Sequence, residues 1–500
     1  MSTKAHAKTR KVGTARKPVV SHYTREMANK IAITNENKQP VVDLARIKQI
    51  VPGQQVWDGY FCVDHATGVV ANIGGFKVLV LLARDTTDPD FSHSRQAYIY
   101  APYDSDEYVF GGYICGGTKL YGDINEWSGS VIHREDGKIQ TFYTIASNFE
   151  KDGIFQTHQR FATAISGFKV VPTEDGIGKL VIEEPTYHGL LAEPDGIIYE
   201  TTEQSVDLEK RFPTLHNRAL ESDGTANHCF RDPKYFEHEG RKFLLFEANT
   251  APDYKHGPAR IRPEYVGSAA TADEYVVSTD DLKANGCIGV MELTDEENTF
   301  GVFQEPWMTF NLFSAEVERI NIVKHQNAFY LFTCTHSTKS SALEHAEMIN
   351  VDMLLGFRAS YFLGPLVPLN ESGVVIAQKS LGAPYGGADA NQQYVYSWLI
   401  LPRADSGVSN VFDVTAYTNY STDANGTIQA VKATSPTLQL EMKGLNTRIV
   451  GQRYDVNPSK RTQEGLQEVG ASRDQFSETT PTPTATDLGI ITPVPNHYGA

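Results

Sequence analysis

Several features that assign a chain to a class are scarce here. The five cysteines (Cys62, Cys115, Cys229, Cys287, Cys334) stand singly, with no Cys-x-x-Cys pair. This argues against both a zinc site and a dense disulfide framework, and makes them small core residues. Their odd number suits a reducing compartment, but a large packed protein outside the cell needs no disulfides either, so the compartment stays open. No apolar run approaches the ~18 to 20 residues of a membrane helix, and the N-terminal stretch lacks the apolar centre of a secretory signal. A cytoplasmic protein is expected, with export by a route that uses no such signal as the alternative. Positive charge is outnumbered: 45 Lys and Arg face 61 Asp and Glu, a net charge of -16 at pI ≈ 5.4. Most of such a surface repels nucleic acid and anionic membrane, so neither is an expected partner and a neutral one fits better. Helical periodicity is confined to Val42 to Ile50 and Ser205 to Phe212.

What is present is a recurring turn and strand. A polar or glycine turn leads into an alternating run rich in aromatic and β-branched residues at 74–81, 136–143, 239–246, 326–332 and 392–399. Five such units predict an all-β, five-bladed β-propeller with a central funnel, because radial repetition hides sheet edges. Their spacing is irregular, and a β-sandwich or barrel is the alternative. Residues 41–455 are the expected propeller. Residues 1–40 are basic and nearly acid-free, predicting a flexible arm, with a transit peptide as the alternative. Residues 456–500 are polar and rich in Thr and Pro, and are expected to wrap the surface or stay mobile.

Three separated segments set an acid beside an aromatic or an arginine: Val56-Trp57-Asp58, Phe230-Arg231-Asp232-Pro233 and Glu316-Val317-Glu318-Arg319. Carboxylates that are desolvated and positively partnered point to acid, base or nucleophile work. A turn or capping role for Asp58 and a surface ion pair for Arg231 and Asp232 are the plain alternatives. If Arg231 grips Asp232, the latter stays an anion. Glu316 and Glu318 differ by two, so a strand turns both to one face and Arg319 to the other. Mutual repulsion is then expected to raise the pKa of at least one, as a general acid requires.

In this order the segments resemble glycoside hydrolase family 68, the levansucrases, inulosucrases and bacterial β-fructofuranosidases. Glu126-Trp127-Ser128-Gly129-Ser130, the run from Phe243 to Thr250, and Tyr330-Leu331-Phe332-Thr333 extend the resemblance across roughly Val56 to Gly444. The resemblance implies a sucrose-cleaving enzyme that retains configuration at the fructosyl carbon, with no cofactor. By matching positions, Asp58 is the nucleophile, Glu318 the general acid/base and Asp232 the transition-state stabiliser. Trp57, Trp127, Ser128, Arg231, Glu247, Glu316 and His336 would line the sugar subsites, with Arg319, Asn227 and Tyr396 added to them. A retaining pair stands roughly 5 to 5.5 Å apart, so Asp58 and Glu318 are expected to meet. Sucrose is the expected donor, other sugars or water the acceptors, and a monomer the expected state.

The sequence departs from the family at informative places. His336 stands where many Gram-positive members have arginine and resembles the Gram-negative branch. Histidine lacks the two-pronged fork of arginine, which bears on acceptor orientation. Calcium-binding members carry aspartates where this chain has Ala226 and Ala315, so no structural metal is expected. Ile320 takes a place often held by proline, and Gly59 leaves room beside Asp58. The expected products are short fructo-oligosaccharides, with long β-2,6 fructan as the alternative and a non-catalytic sugar-binding propeller as the remote one.

Overall fold

In the computed structural model, residues 16–51, 53–85, 94–115, 125–174, 176–211, 228–258, 262–268, 273–278, 280–282, 284–341, 351–379, 395–403 and 406–455 are described. The expected C-terminal segment and two of the singled-out residues, Ala226 and Asn227, lie outside them.

The fold is a five-bladed β-propeller, and the five turn-strand units fall one to a blade. Blade one comprises Gln54–Phe61, Phe76–Asp85, Arg95–Pro102 and Val109–Tyr113. Blade two comprises Asn125–His133, Ile139–Lys151, Ile154–Val171 and Lys179–Ala192, and blade three Phe230–His238, Arg241–Asn249, Gly286–Leu293 and Gly301–Thr309. Blade four runs Glu318–His325, Ala328–His336 and Val351–Ala359, with Val367–Pro368 and Val374–Lys379 sharing its outer edge. Blade five comprises Val395–Leu401, Val411–Thr418, Thr437–Lys443 and Asn446–Arg453. Pairing between these blade strands is antiparallel, so each blade is a meander that short turns can connect.

The apolar cores lie between blades, where the alternating faces of neighbouring sheets meet. Phe161 of blade two stacks on Phe230 of blade three with centroids 4.1 Å apart, and Phe142 stacks on Tyr235 at 5.5 Å. Phe243 and Leu245 pack with Phe329 and Leu331 between blades three and four. Trp398, Ile400 and Val414 of blade five pack with Phe332 and Leu354 of blade four.

The first strand of every blade has a break in register at corresponding places: Trp57/Tyr60, Trp127/Gly129, Arg231/Lys234, Glu318/Asn321 and Tyr396/Leu399. In four of them a residue other than glycine takes positive φ: Asp58 (48°), Asp232 (57°), Arg319 (60°) and Ser397 (66°). A bulge leaves one residue out of the ladder and re-aims its side chain. Each bulge costs backbone energy, and bulges of this kind collect at functional sites. In blade two the bulge falls against Gly129, where an added Cβ would lie 1.8 Å from the Phe142 carbonyl oxygen.

Two expectations need correction. The helix predicted over Val42 to Ile50 is only a 3-10 turn at Leu44–Arg46. Val42, Leu44 and Ile47 join the core of blades four and five, and Lys48 bridges to Thr422, so the segment is held extended by tertiary packing. The helix predicted at Ser205 to Phe212 is present as Thr202–Arg211. The flexible arm over 1–40 does not hold for residues 16–40. Ser21–His22 adds a parallel strand to blade three, Tyr23 is fully buried with its hydroxyl on the Ser372 carbonyl at 2.6 Å, and the Arg25 guanidinium caps the Leu312 carbonyl at 2.9 Å. Basic composition misled because Arg25 spends its charge inside, 3.8 Å from Asp281.

Candidate active site

The five bulges lie in the first strand of each blade, and nine of the thirteen singled-out residues occupy them: Trp57-Asp58, Trp127-Ser128, Arg231-Asp232, Glu318-Arg319 and the Tyr396 that precedes Ser397.

Arg231 is the hub. It lies opposite Glu247 in the ladder, and its Nε donates to Glu247 Oε2 at 2.7 Å. Its Nη2 donates to Glu316 Oε2 at 2.8 Å and Glu318 Oε1 at 3.0 Å. Glu247 Oε1 also accepts from the Val317 backbone N–H at 3.0 Å, tying blade three to the loop entering blade four. Trp127 faces the Arg231 guanidinium at 5.7 Å from its ring centroid.

Glu318 is the most heavily solvated by protein. Besides Arg231 it accepts from the Tyr396 hydroxyl at 2.5 Å, and His336 Nε2 lies 3.4 Å from the same oxygen. His336 is fixed on its other side, with Nδ1 2.6 Å from Asp352 Oδ1 and its ring stacked on Tyr396 at 4.0 Å. Burial pushes the Glu318 carboxyl up, but Arg231, the bond and charge of His336, and Tyr396 outweigh it and hold the group well below the usual range. The repulsion expected to raise it is thus overridden, because Arg231 sits between the two glutamates.

Asp232 differs from expectation in the opposite sense. Arg231 turns its donors toward the glutamates, and the acceptor Oδ2 of Asp232 takes the Arg319 backbone N–H at 3.0 Å instead. Burial dominates, with Asp58 and Glu318 adding to it against the pull of Arg319 and Arg231, and the group is pushed up to about 7. Burial likewise pushes Glu247 up, against Arg231.

Arg319 does not reach the sugar site as a ligand. It is 1 % exposed, and its guanidinium donates to the backbone carbonyls of Asp58 (3.1 Å) and Gly59 (2.9 Å) and to Ser128 Oγ, while lying over the Tyr60 ring at 3.8 Å. Ser128 Oγ is itself 3.4 Å from the Asp58 carbonyl, and Thr144 links the Ser128 carbonyl to the Asp232 N–H. Placing Arg319 among the sugar ligands is corrected by this burial. Asp58 therefore rides on a strand pinned from blades two and four. Trp57 turns the other way, under Lys432 (4.9 Å) and Arg84 (5.6 Å), into a cleft between blades one and five that Gly59 and Ser397 also line.

Sequence reasoning missed Asp352, Tyr60 and Thr144, which act through backbone geometry or a partner side chain. Asp352 gave no signal in the sequence, since only the strand pairing sets it opposite His336.

Cys229, Glu247 and Glu316, and again Glu316, Glu318 and His336, come close enough to share a cation. In both groups Arg231 already supplies the positive charge to glutamate. Ala315 has no side-chain oxygen, and its carbonyl is taken by Asn249 Nδ2 at 2.8 Å.

The family described as "Levansucrase/Invertase", glycoside hydrolase family 68, matches residues 14–456. The levansucrase of Bacillus amyloliquefaciens is 28% identical over 464 residues, covering 86% of this chain and 88% of its own. An inulosucrase of Lactobacillus johnsonii is 27% identical over 343 residues, 64% of this chain and 40% of its own. Among solved structures, a substituted Bacillus subtilis levansucrase in complex with oligosaccharides is 25% identical with a TM-score of 0.69, covering 87% of this chain and 97% of that one.

Proposed function

Because the chain belongs to glycoside hydrolase family 68, the levansucrase and invertase family, we propose that its funnel cleaves sucrose through a covalent fructosyl-enzyme and hands the fructosyl group to sucrose, another sugar or water, giving mainly short fructo-oligosaccharides. The observation that carries this reading is the convergence on Arg231 of carboxylates from two blades, with Asp58 and Asp232 held beside them through Arg319.

In this reading the Asp58 carboxylate attacks the fructosyl carbon as the bond to the glucosyl oxygen breaks, and Glu318 gives that oxygen its proton. An incoming hydroxyl then loses its proton to Glu318 while its oxygen displaces Asp58, restoring both acids. Glu318 must hold a proton for the first step, yet Arg231, His336 and Tyr396 favour its anion. Sugar hydroxyls that draw Arg231 and Tyr396 away relieve that hold, so donor binding itself prepares the acid. Asp232, poised near 7, is driven to its anion by hydroxyls that donate to it, and a buried anion there steadies the charge developing on the ring.

His336 supports the short-product reading. Clamped by Asp352 and Tyr396, it offers an acceptor at most one bond, so a growing chain is gripped less firmly than by an arginine fork. The likeness to a levansucrase over nearly the whole chain favours the second reading, a long β-2,6 fructan. Incubation with sucrose followed by chromatography separates them. Glucose release with short oligomers and fructose is expected, polymer at the origin shows the second reading, and no glucose release overturns both.

A further inference from the structure

On the outer side of blade three, away from the Arg231 cluster, one imidazole nitrogen each of His22 and His256 and a carboxylate oxygen of Glu264 lie within 4.8 Å of one another. The three come from the N-terminal segment, the turn after Arg241–Asn249 and the short helix Pro263–Val266. Each imidazole is oriented by a hydroxyl: His22 Nδ1 is 2.8 Å from Thr309 Oγ1, and His256 Nδ1 is 2.8 Å from the Tyr265 hydroxyl. With both Nδ1 atoms so engaged, Nε2 is the nitrogen left on each ring to bind a metal, and the ring centroids sit 4.7 Å apart. Metal-binding histidines carry this second bond, which fixes the tautomer and aims the lone pair.

We propose that His22, His256 and Glu264 form a structural site for a borderline divalent transition metal such as Zn²⁺, with water completing a four-coordinate shell. Two imidazoles and one carboxylate suit zinc better than calcium or magnesium, which take oxygen. Zinc at about 2.0 to 2.1 Å from each ligand needs donor separations of about 3.4 Å. Glu264 is exposed at the surface and has the freedom to close the remaining gap, although Arg262 Nη1, 3.2 Å from its Oε1, competes for it. The metal would staple residues 16–24 to blade three, adding to the Ser21–His22 strand pairing and the buried Tyr23 that already hold them.

Zinc is the probe for the test. The full chain is stripped with EDTA, dialysed and titrated with Zn²⁺, with bound metal, melting temperature and, using Co²⁺ as a substitute, visible absorption followed in parallel. One metal per chain, a melting temperature higher by several degrees and a tetrahedral cobalt spectrum are expected. H22Q and E264Q should each lose these responses while melting like the wild type without metal and cleaving sucrose normally. T309V, which removes only the orienting hydroxyl, should weaken binding about tenfold. Absence of stoichiometric binding to the wild type, or binding that survives H22Q and E264Q unchanged, overturns the site.

Discussion

Asp58 sits at positive φ, a conformation that asparagine tolerates nearly as well as aspartate. Asp58→Asn is therefore expected to fold normally and to cut glucose release from sucrose by about four orders of magnitude. Undiminished release from a folded variant would remove Asp58 from the nucleophile's role. Asp232 carries the opposite signature, a cost to the free protein. Its folded pKa, about 7, lies above the ordinary 3.8, so the folded state holds its proton more tightly than the unfolded chain. Its contribution to stability is greatest below about pH 4 and is lost as pH rises toward 7. Asp232→Asn keeps the acceptor for the Arg319 N–H and removes the buried charge. It should melt a few degrees above the wild type near pH 8, lose that advantage near pH 4, and be nearly inactive throughout. Equal melting curves at both pH values would show that Asp232 is not burdened by burial.

At the level of elements, one device recurs: a bulge in the first strand of every blade. Gly129 shows what it demands, since a Cβ there collides with the Phe142 carbonyl, which belongs to the paired strand and cannot swing aside. Gly129→Ala is expected to destabilise by about 3 kcal/mol and to lower kcat by displacing Ser128, both measurable by denaturation and initial rates. The bulges also explain what was legible beforehand. Residues such as Trp57-Asp58 and Arg231-Asp232 stand out as motifs because a bulge re-aims a side chain out of the regular alternation that sends consecutive residues to opposite faces. The strands were legible for a simpler reason: their half-buried faces alternate, and one turn-strand unit marked each blade. The Val42 to Ile50 segment was not, because its apolar residues answer to blades four and five rather than to their own periodicity. Asp352 escaped because its importance lies in its opposition to His336, which pairing alone creates.

Across the whole molecule the difficulty is to hold acids from separate blades in register, and Arg319 is the piece that does it. Its side chain grips the Asp58 and Gly59 carbonyls of blade one and Ser128 of blade two, while its own N–H holds Asp232 of blade three, all from blade four. Lysine would retain the charge that draws Asp232 toward its anion but cannot span two carbonyls and a hydroxyl with a planar fork. Asp58 would then drift relative to the fructosyl carbon, and a displacement of about 1 Å is enough for a hundredfold loss. Arg319→Lys is therefore expected to lower kcat about a hundredfold with KM for sucrose nearly unchanged, because no sugar contact is removed. Arg319→Gln, which also loses the charge, should push Asp232 still higher and carry the fall in stability, which for the wild type ends near pH 7, to higher pH. A large rise in KM with kcat preserved in Arg319→Lys would instead make Arg319 a sugar ligand, and would contradict its burial beneath the Asp58 strand.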